Sequence, residues 1–468
     1  MKLLYQLNDK PPLGISTLLA LQHMLASIGG IVAVPLIVGT SIGLPSEHVV
    51  SLVSAALLIS GIFTMIQCLG FGPVGIKLPV VMGCSFAFLG IAISIGKAEG
   101  ISGILGAALV GGILVIIASF FMEHIRKLFP HHVSGVVVTL IGLTILPVAM
   151  NWIGDAPVDS PEFASLPKLF LAGITLSAVV IISAFGKGAI SASAIVISMA
   201  LGYLVAFFMG MVDLSQIGKT PWFTGPEPFK HGLTFSWPAI ISMSIAYIVI
   251  IAEATGNYMA QANNCQTTLD GKDLRRGVLG DGLGSTIGAI FTSMPLASFS
   301  QNVGIVGLTG VASRFVVAIT GLLMLFAGLF PKFGAIAVSI PKPVLGGVGV
   351  VMFGMIAYSG IRMLAKSCDT QRNALITCVS LAIGLGITFK PELLQHLPHD
   401  ISQLFHSGIT TGTILAVALN LLLPKSKQED KQMEAIENEL SELKENEMQE
   451  NKLNSNDFRN TVLEKTHF

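Results

Sequence analysis

The sequence predicts an all-α polytopic membrane protein of fourteen transmembrane segments, arranged as two inverted repeats of seven. Three observations lead there. The 468 residues are 52% hydrophobic and only 12% charged, with a mean hydropathy of +0.76, whereas soluble domains carry about 25% charged residues. The apolar residues gather into runs, several of them long enough to cross a hydrocarbon core, which takes about 20 helical residues. The two halves also repeat one another: Pro130-His-His-Val133-Ser-Gly135 before an apolar helix returns as Pro341-Lys-Pro-Val344-Leu-Gly346. Seven crossings per half is odd, so the second copy enters the membrane inverted.

In order, the apolar segments fall near residues 14–38, 50–70, 79–96, 101–121, 133–150, 168–185 and 190–211 in the first half. In the second half they fall near 238–262, 278–292, 298–311, 315–330, 343–360, 374–389 and 407–424. Residues 1–13 read as a short polar cytoplasmic arm and not as a cleavable leader. Segments 79–96, 278–292 and 298–311 are short or broken by Gly, Pro and Ser, so they must be shielded by protein and not by lipid. The third segment is interrupted from Lys77-Leu78-Pro79 to Gly83-Cys84-Ser85-Phe86, and the tenth from Ser293-Met294-Pro295 to Ser300. Interrupted segments at matching places in two halves point to a transporter binding site.

Lys77, Arg126-Lys127, Lys187, Lys272 with Arg275-Arg276, Arg314, and Arg362 with Lys366 and Arg372 all share one side if the amino terminus is cytoplasmic. Both termini are then cytoplasmic. Trp152, Trp222 and Trp237 fall on the opposite side, where an aromatic belt would sit. Residues 425–468, rich in Glu, Lys and Asn, read as a charged cytoplasmic tail outside the chemistry. The zero net charge and pI near 7.1 offer nothing to nucleic acid. Cys68, Cys84, Cys265, Cys368 and Cys378 form no CxxC pair and read as packing thiols, and the histidines show no metal spacing.

Ionisable residues inside spans are costly, about 2.5–3.5 kcal/mol for Asp at a helix centre on insertion scales, so each is a candidate functional group. Glu253 follows a long apolar run, with Asn257 one turn later on the same face; the competing reading is a carboxylate that bridges two helices. Asp281, in Leu279-Gly280-Asp281-Gly282, is a second candidate. Gln22-His23 in the first segment admits two readings, a proton relay or a helix–helix hydrogen-bond partner. Gln301-Asn302 can present an amide donor and acceptor side by side, which matches the N–H and C=O edge of a planar heterocycle. Gly304, Gly307 and Gly310 then recur on one helical face and permit close packing. A nucleophile–base or metal constellation is missing, which argues against an enzyme, and no cofactor is expected.

Gln301-Asn302-Val303-Gly304 with Thr309 and Gly310 resembles the signature of the nucleobase-ascorbate transporter family, also called nucleobase:cation symporter 2. Gln22-His23, Ser85-Phe86-Ala87, Glu253-Ala-Thr-Gly and Asp281 carry the likeness over about residues 10–424. The resemblance implies a core domain of residues 14–128 and 237–338, a gate domain of 129–236 and 339–424, and a short strand in segments 3 and 10. It implies that Glu253 and Gln301 hold the substrate by hydrogen bonds and that Phe86, after Ser85, supplies a main-chain contact and a ring. His23 and Asn302 would organise the site, supported by Gln22, Asn257, Gly304 and Thr309. Gln at 301 resembles the xanthine and uric acid branch. Many xanthine carriers have Asp where this chain has Asn257, so proton coupling falls to Glu253 or Asp281. The expectation is a homodimeric proton-coupled symporter importing xanthine or uric acid across a bacterial-type inner membrane. Other nucleobases (uracil, guanine, hypoxanthine), sodium coupling, and an anion exchanger or channel-like protein of the same fold are the alternatives.

Overall fold

The computed structural model describes residues 3–121, 130–157, 159–187, 189–365, 367, 370–398, 405 and 408–424. At residues 26, 131, 189, 192, 216, 252, 300, 301, 304, 307 and 308 only the backbone is described. Pro12 and Pro45 lead into α1 (Leu13–Ser41) and α2 (Ser46–Leu69), because the residue before a proline and its own missing N–H resist extending a helix backwards. Gly70, at φ 78°, stops α2. Strand β1 (Met82–Cys84) and a 3-10 turn (Phe86–Phe88) precede α3 (Leu89–Ala118). Within α3, Gly100 adopts φ 74° and ψ −171°, which divides a half-helix from a full one at the boundary expected between 79–96 and 101–121.

The chain continues as α4 (His131–Gly154), α5 (Leu166–Phe185) and α6 (Ala194–Phe208). Then come α7 (Trp237–Asn264), α8 (Gly271–Ile290), β2 (Leu296–Ser298) and the ten-residue α9 (Ser300–Thr309). The last stretch holds α10 (Arg314–Leu329), α11 (Pro331–Val338), α12 (Lys342–Ala365), α13 (Gln371–Phe389) and α14 (Gly408–Leu422).

Among the described residues eight helices are long and apolar enough to cross a membrane, or nine if α10 and α11, bent by 79° at their junction, count together. Several expected segments fall outside that set for identifiable reasons. The third and fourth count as one stretch, Phe86–Phe121, the strand-bearing tenth is interrupted, α6 and α14 are short, and α8 carries Lys272, Asp273, Arg275 and Arg276 in its first turns. The ninth segment is longer than 278–292, because a capping box between Asp270 and Asp273 starts the helix at Gly271. Helix α11 was not expected either; Pro331 opens it in a new direction.

The strands pair antiparallel, Met82 with Ser298, Gly83 with Ala297 and Cys84 with Leu296. The equivalent helices of the two sequence repeats, α4 and α12, pack on each other, with Gly135 facing Leu364. Helices α2 and α10 meet through Gly61, where an added Cβ would stand 2.9 Å from the Leu325 Cα. Such contacts replace the hydrophobic effect as the source of helix association in lipid.

Three sequence readings change. Trp152 is buried at 7% exposure inside α4 and so is no belt residue, whereas Trp237 is 77% exposed. Cys68, Cys84 and Cys265 are buried and unpaired, but Cys378 is exposed, and Cys368 lies outside the described residues. The amino-terminal arm is also tied down. Leu4 N–H donates to Gly310 O (2.8 Å), Ala312 N–H to Tyr5 O (3.0 Å) and Arg314 N–H to Leu7 O (3.1 Å), a strand-like strap beyond the end of α9.

Candidate functional site

A two-stranded sheet in a membrane must find partners for its outer edges, and polar side chains from neighbouring helices provide them. Thr64 Oγ1 of α2 accepts the Met82 N–H (2.9 Å). Ser285 Oγ of α8 donates to Leu296 O (2.9 Å) and accepts the Leu296 N–H (3.1 Å). Between the strands, Ser85 N–H donates to Pro295 O (3.2 Å) and Phe299 N–H to Val81 O (2.9 Å). The half-helices that follow, the start of α3 and α9, therefore begin from one rigid pair of strands.

Helix α7 lies across this pair. Glu253, Asn257, Gln261 and Asn264 stand at spacings of four, four and three residues, which places them on one helical face. Three of the four are spent on the strand–helix elements. Asn257 Nδ2 donates to Ser298 O (3.3 Å), Gln261 Nε2 to Pro79 O (2.6 Å) and Asn264 Nδ2 to Val303 O (2.8 Å). Glu253, half-buried like Asn257 and Asn264, has no hydrogen-bond partner among the described residues. The helix-bridging reading of Glu253 loses its support, because the bridging is done by the amides beside it.

Asn302, in the first turn of α9, is turned to scaffolding. Its Nδ2 donates to Pro79 O (2.8 Å) and its Oδ1 lies 2.7 Å from His23 Nδ1, whose N–H donates to it. Both side chains are 1% exposed. One N–H and the oxygen of the Asn302 amide are thus bonded inside the protein, and His23 serves as a helix–helix hydrogen-bond partner through Nδ1. Gln22, half-buried beside His23, has no hydrogen-bond partner among the described residues.

Ser85 is the N-cap of the turn before α3, its Oγ accepting the Ala87 N–H (3.2 Å). Phe86 is buried, edge to face with Phe353 of α12 at 6.0 Å between centroids. Gly30 of α1 is required opposite it: a Cβ there would come within 2.6 Å of Phe299 and 3.4 Å of Phe86. Phe299 precedes α9 and cannot cap it, so among the described residues no side chain caps that helix start. Free N–H groups at such a terminus suit an acceptor oxygen. Gln301 and Gly304 sit in α9 by their backbone, and their surroundings lie outside the described part. Thr309 closes the helix, donating to Ile305 O (2.9 Å) and accepting the Val311 N–H (3.2 Å).

Asp281 belongs to a different cluster, behind β1. Tyr258 Oη lies 2.7 Å from both of its oxygens, and Gln67 Nε2 lies 3.1 Å from Oδ1. Sequence reasoning missed Gln67, Tyr258, Gln261 and Asn264. For the last two a signal existed, the polar stripe that continues from Glu253 through Asn257. Gln67 was visible as a lone amide in an apolar helix, but its partners come from far along the chain.

The comparisons with known proteins agree with this architecture. A family model described as "Permease family" matches residues 14–393. A putative purine permease of Clostridium perfringens is 41% identical over 91% of this chain and 94% of its own length. The chain belongs to the nucleobase-ascorbate transporter family. Relatives in the family include a xanthine permease of Bacillus subtilis, 39% identical over 86% of this chain and 92% of the relative. The uric acid permease PucK of the same organism is 40% identical over 86% and 94%. Membership makes the protein a transporter and not an enzyme. Among solved structures, SLC26A9 superposes with a TM-score of 0.61 at 15% identity, over 86% of this chain and 64% of its own length. The transmembrane domain of the cyanobacterial bicarbonate transporter BicA gives 0.56 at 11% identity, over 87% of this chain and 97% of its own length. Those two share the fold.

Proposed function

We propose that this protein imports a purine base, xanthine or uric acid, by proton symport across a bacterial inner membrane. The observation that carries the proposal is Glu253. It shares a face with three amides that are all tied to the strand–helix elements, yet its own carboxylate bonds to no described residue. A carboxylate held in place by its neighbours and left to bond outward suits the N–H groups of a purine. Gln301 is the second clamp, Phe86 adds a ring beside the base, and the uncapped start of α9 offers N–H groups to a carbonyl oxygen. The names of the relatives, xanthine, uric acid and purine permeases, support the substrate class.

In this reading the fourteen segments form a core domain (14–128 and 237–338) that carries the site and a gate domain (129–236 and 339–424) against which it moves. The protein works as a homodimer with both termini cytoplasmic. Glu253 or Asp281 takes up the coupled proton, since Asn257 has no charge to offer. The deciding experiment is uptake of labelled xanthine in a transport-null host, competed by unlabelled uric acid, uracil, guanine and hypoxanthine. Saturable uptake displaced by uric acid supports the reading. Displacement by uracil alone moves the substrate to pyrimidines, and anion exchange without any purine uptake refutes it.

A further inference from the structure

The Gln67–Tyr258–Asp281 cluster has a donor count that makes it more than packing. All three side chains are fully or almost fully buried. Tyr258 Oη lies 2.7 Å from each Asp281 oxygen and, in another direction, 3.3 Å from Gly277 O. Gln67 Nε2 faces Asp281 Oδ1 (3.1 Å), Tyr258 Oη (3.0 Å) and Gly277 O (2.9 Å). Its Oε1 accepts the Ile76 N–H (3.0 Å), which fixes the amide so that it presents only donors to the acid.

When Asp281 is ionised, the Tyr258 hydroxyl and the Gln67 amide both donate to it. When it gains a proton from solution, one O–H bond forms on the carboxyl and that hydrogen needs an acceptor. Gln67 cannot serve, and Tyr258 Oη can. The tyrosine hydrogen must then leave Asp281, and Gly277 O stands ready to receive it. One hydroxyl rotation therefore exchanges two states in which every donor has an acceptor. Among the described residues Tyr258 is the only titratable group bonded to Asp281. Cys68, next to Gln67, bonds Val80 O instead, and no ion pair includes the acid.

The cluster also touches the anchors of the site. Tyr258 lies between Asn257, bonded to β2, and Gln261, bonded to Pro79 O, while Gln67 holds Ile76 in the approach to β1. We propose that Tyr258 and Gln67 are positioning residues of a hydrogen-bond switch that reverses when Asp281 is protonated and passes that change to the strand anchors. The switch rests on the proton-coupled reading for its role, although its existence does not depend on the substrate.

The test uses the full chain in lipid nanodiscs, without substrate, followed by infrared difference spectroscopy as pH is varied from about 4 to about 9, the range in which buried carboxyls titrate. The carboxyl band is assigned by its loss in Asp281→Asn, and the tyrosine C–O band by ring-labelled tyrosine and its loss in Tyr258→Phe. The expected result is that both bands change together in the wild type. In Tyr258→Phe and Gln67→Leu the carboxyl titration should move by about one pH unit, a tenfold change in equilibrium, or more. In proteoliposomes, accumulation driven by a pH gradient should fall about tenfold in Tyr258→Phe relative to that variant's own substrate exchange. A carboxyl band that does not titrate, a tyrosine band that ignores it, or an unmoved titration in the variants overturns the switch. If the wild type moves no purine, the substrate reading fails and the infrared result still decides the switch; if the variants do not fold, the labelled wild type decides it.

Discussion

Replacing His23 and Asn302 with Leu, singly and together, tests whether the signature asparagine is scaffold or ligand. Asn302→Leu removes the partner of His23 Nδ1 and leaves a nitrogen that is 1% exposed with nothing to bond; Pro79 O keeps Gln261. His23→Leu orphans Asn302 Oδ1 in the same way. A buried polar atom left unpaired costs about 1–3 kcal/mol. Hydrogen bonds between membrane helices are worth less, about 0.6 kcal/mol on average and about 1.7 at most. The double variant has neither orphan, so its loss should fall short of the summed single losses by about 1–2 kcal/mol, near the top of the membrane range because both groups are buried. At roughly 1 °C per kcal/mol for a chain of this size, fluorescence-detected melting in detergent should show a shortfall of about 1–2 °C. Single-variant shifts that add to within about 0.5 °C would refute the scaffold assignment, since uncoupled sites add within about 0.3–0.5 kcal/mol. They would return Asn302 to the list of ligands.

Glu253→Gln should keep its fold, because no described residue bonds the carboxylate, yet raise the KM for purine about tenfold or more, the cost of losing a charged hydrogen-bond acceptor; an unchanged KM counts against the clamp. Deleting residues 2–9 strips Gly310 O, Ala312 N–H and Arg314 N–H of their partners. The melting temperature should then fall by a few degrees, at about 1 kcal/mol per lost bond, and equal melting curves would show the strap to be passive. A protonophore in sodium-free buffer should collapse accumulation, and persistence of concentrative uptake there would end the proton assignment.

Much of the site was legible because membrane interiors make polar residues expensive, so Glu253, Asp281, His23 and Asn302 stand out against their apolar flanks. The interruptions around Pro79 and Pro295 likewise marked where the strands lie. What could not be read was the division of labour among them. Asn302 looked like a ligand because its amide has the right donor and acceptor; only its meeting with His23 and Pro79 O, 279 and 223 residues away in sequence, shows that its oxygen and one N–H bond within the protein. Asp281 stood out as a second candidate acid, but its bonds to Tyr258 and Gln67 could not be read from the sequence. The start of α8 was misjudged for a local reason: its charged first turns resemble a loop until the Asp270–Asp273 capping box is counted as a helix start.

Amino-acid order alone marks this chain as a polytopic membrane protein with a repeated, interrupted architecture and a small set of polar groups. Composition and hydropathy are properties of segments, and a segment's cost in lipid does not depend on where its neighbours end up. The tertiary structure decided which polar groups face one another. A hydrogen bond needs two atoms within about 3 Å, and here those atoms come from segments tens to hundreds of residues apart. That pairing leaves Glu253 unspent among the described residues, ties Asn302 to His23 and Pro79 O, and gives Asp281 its two donors.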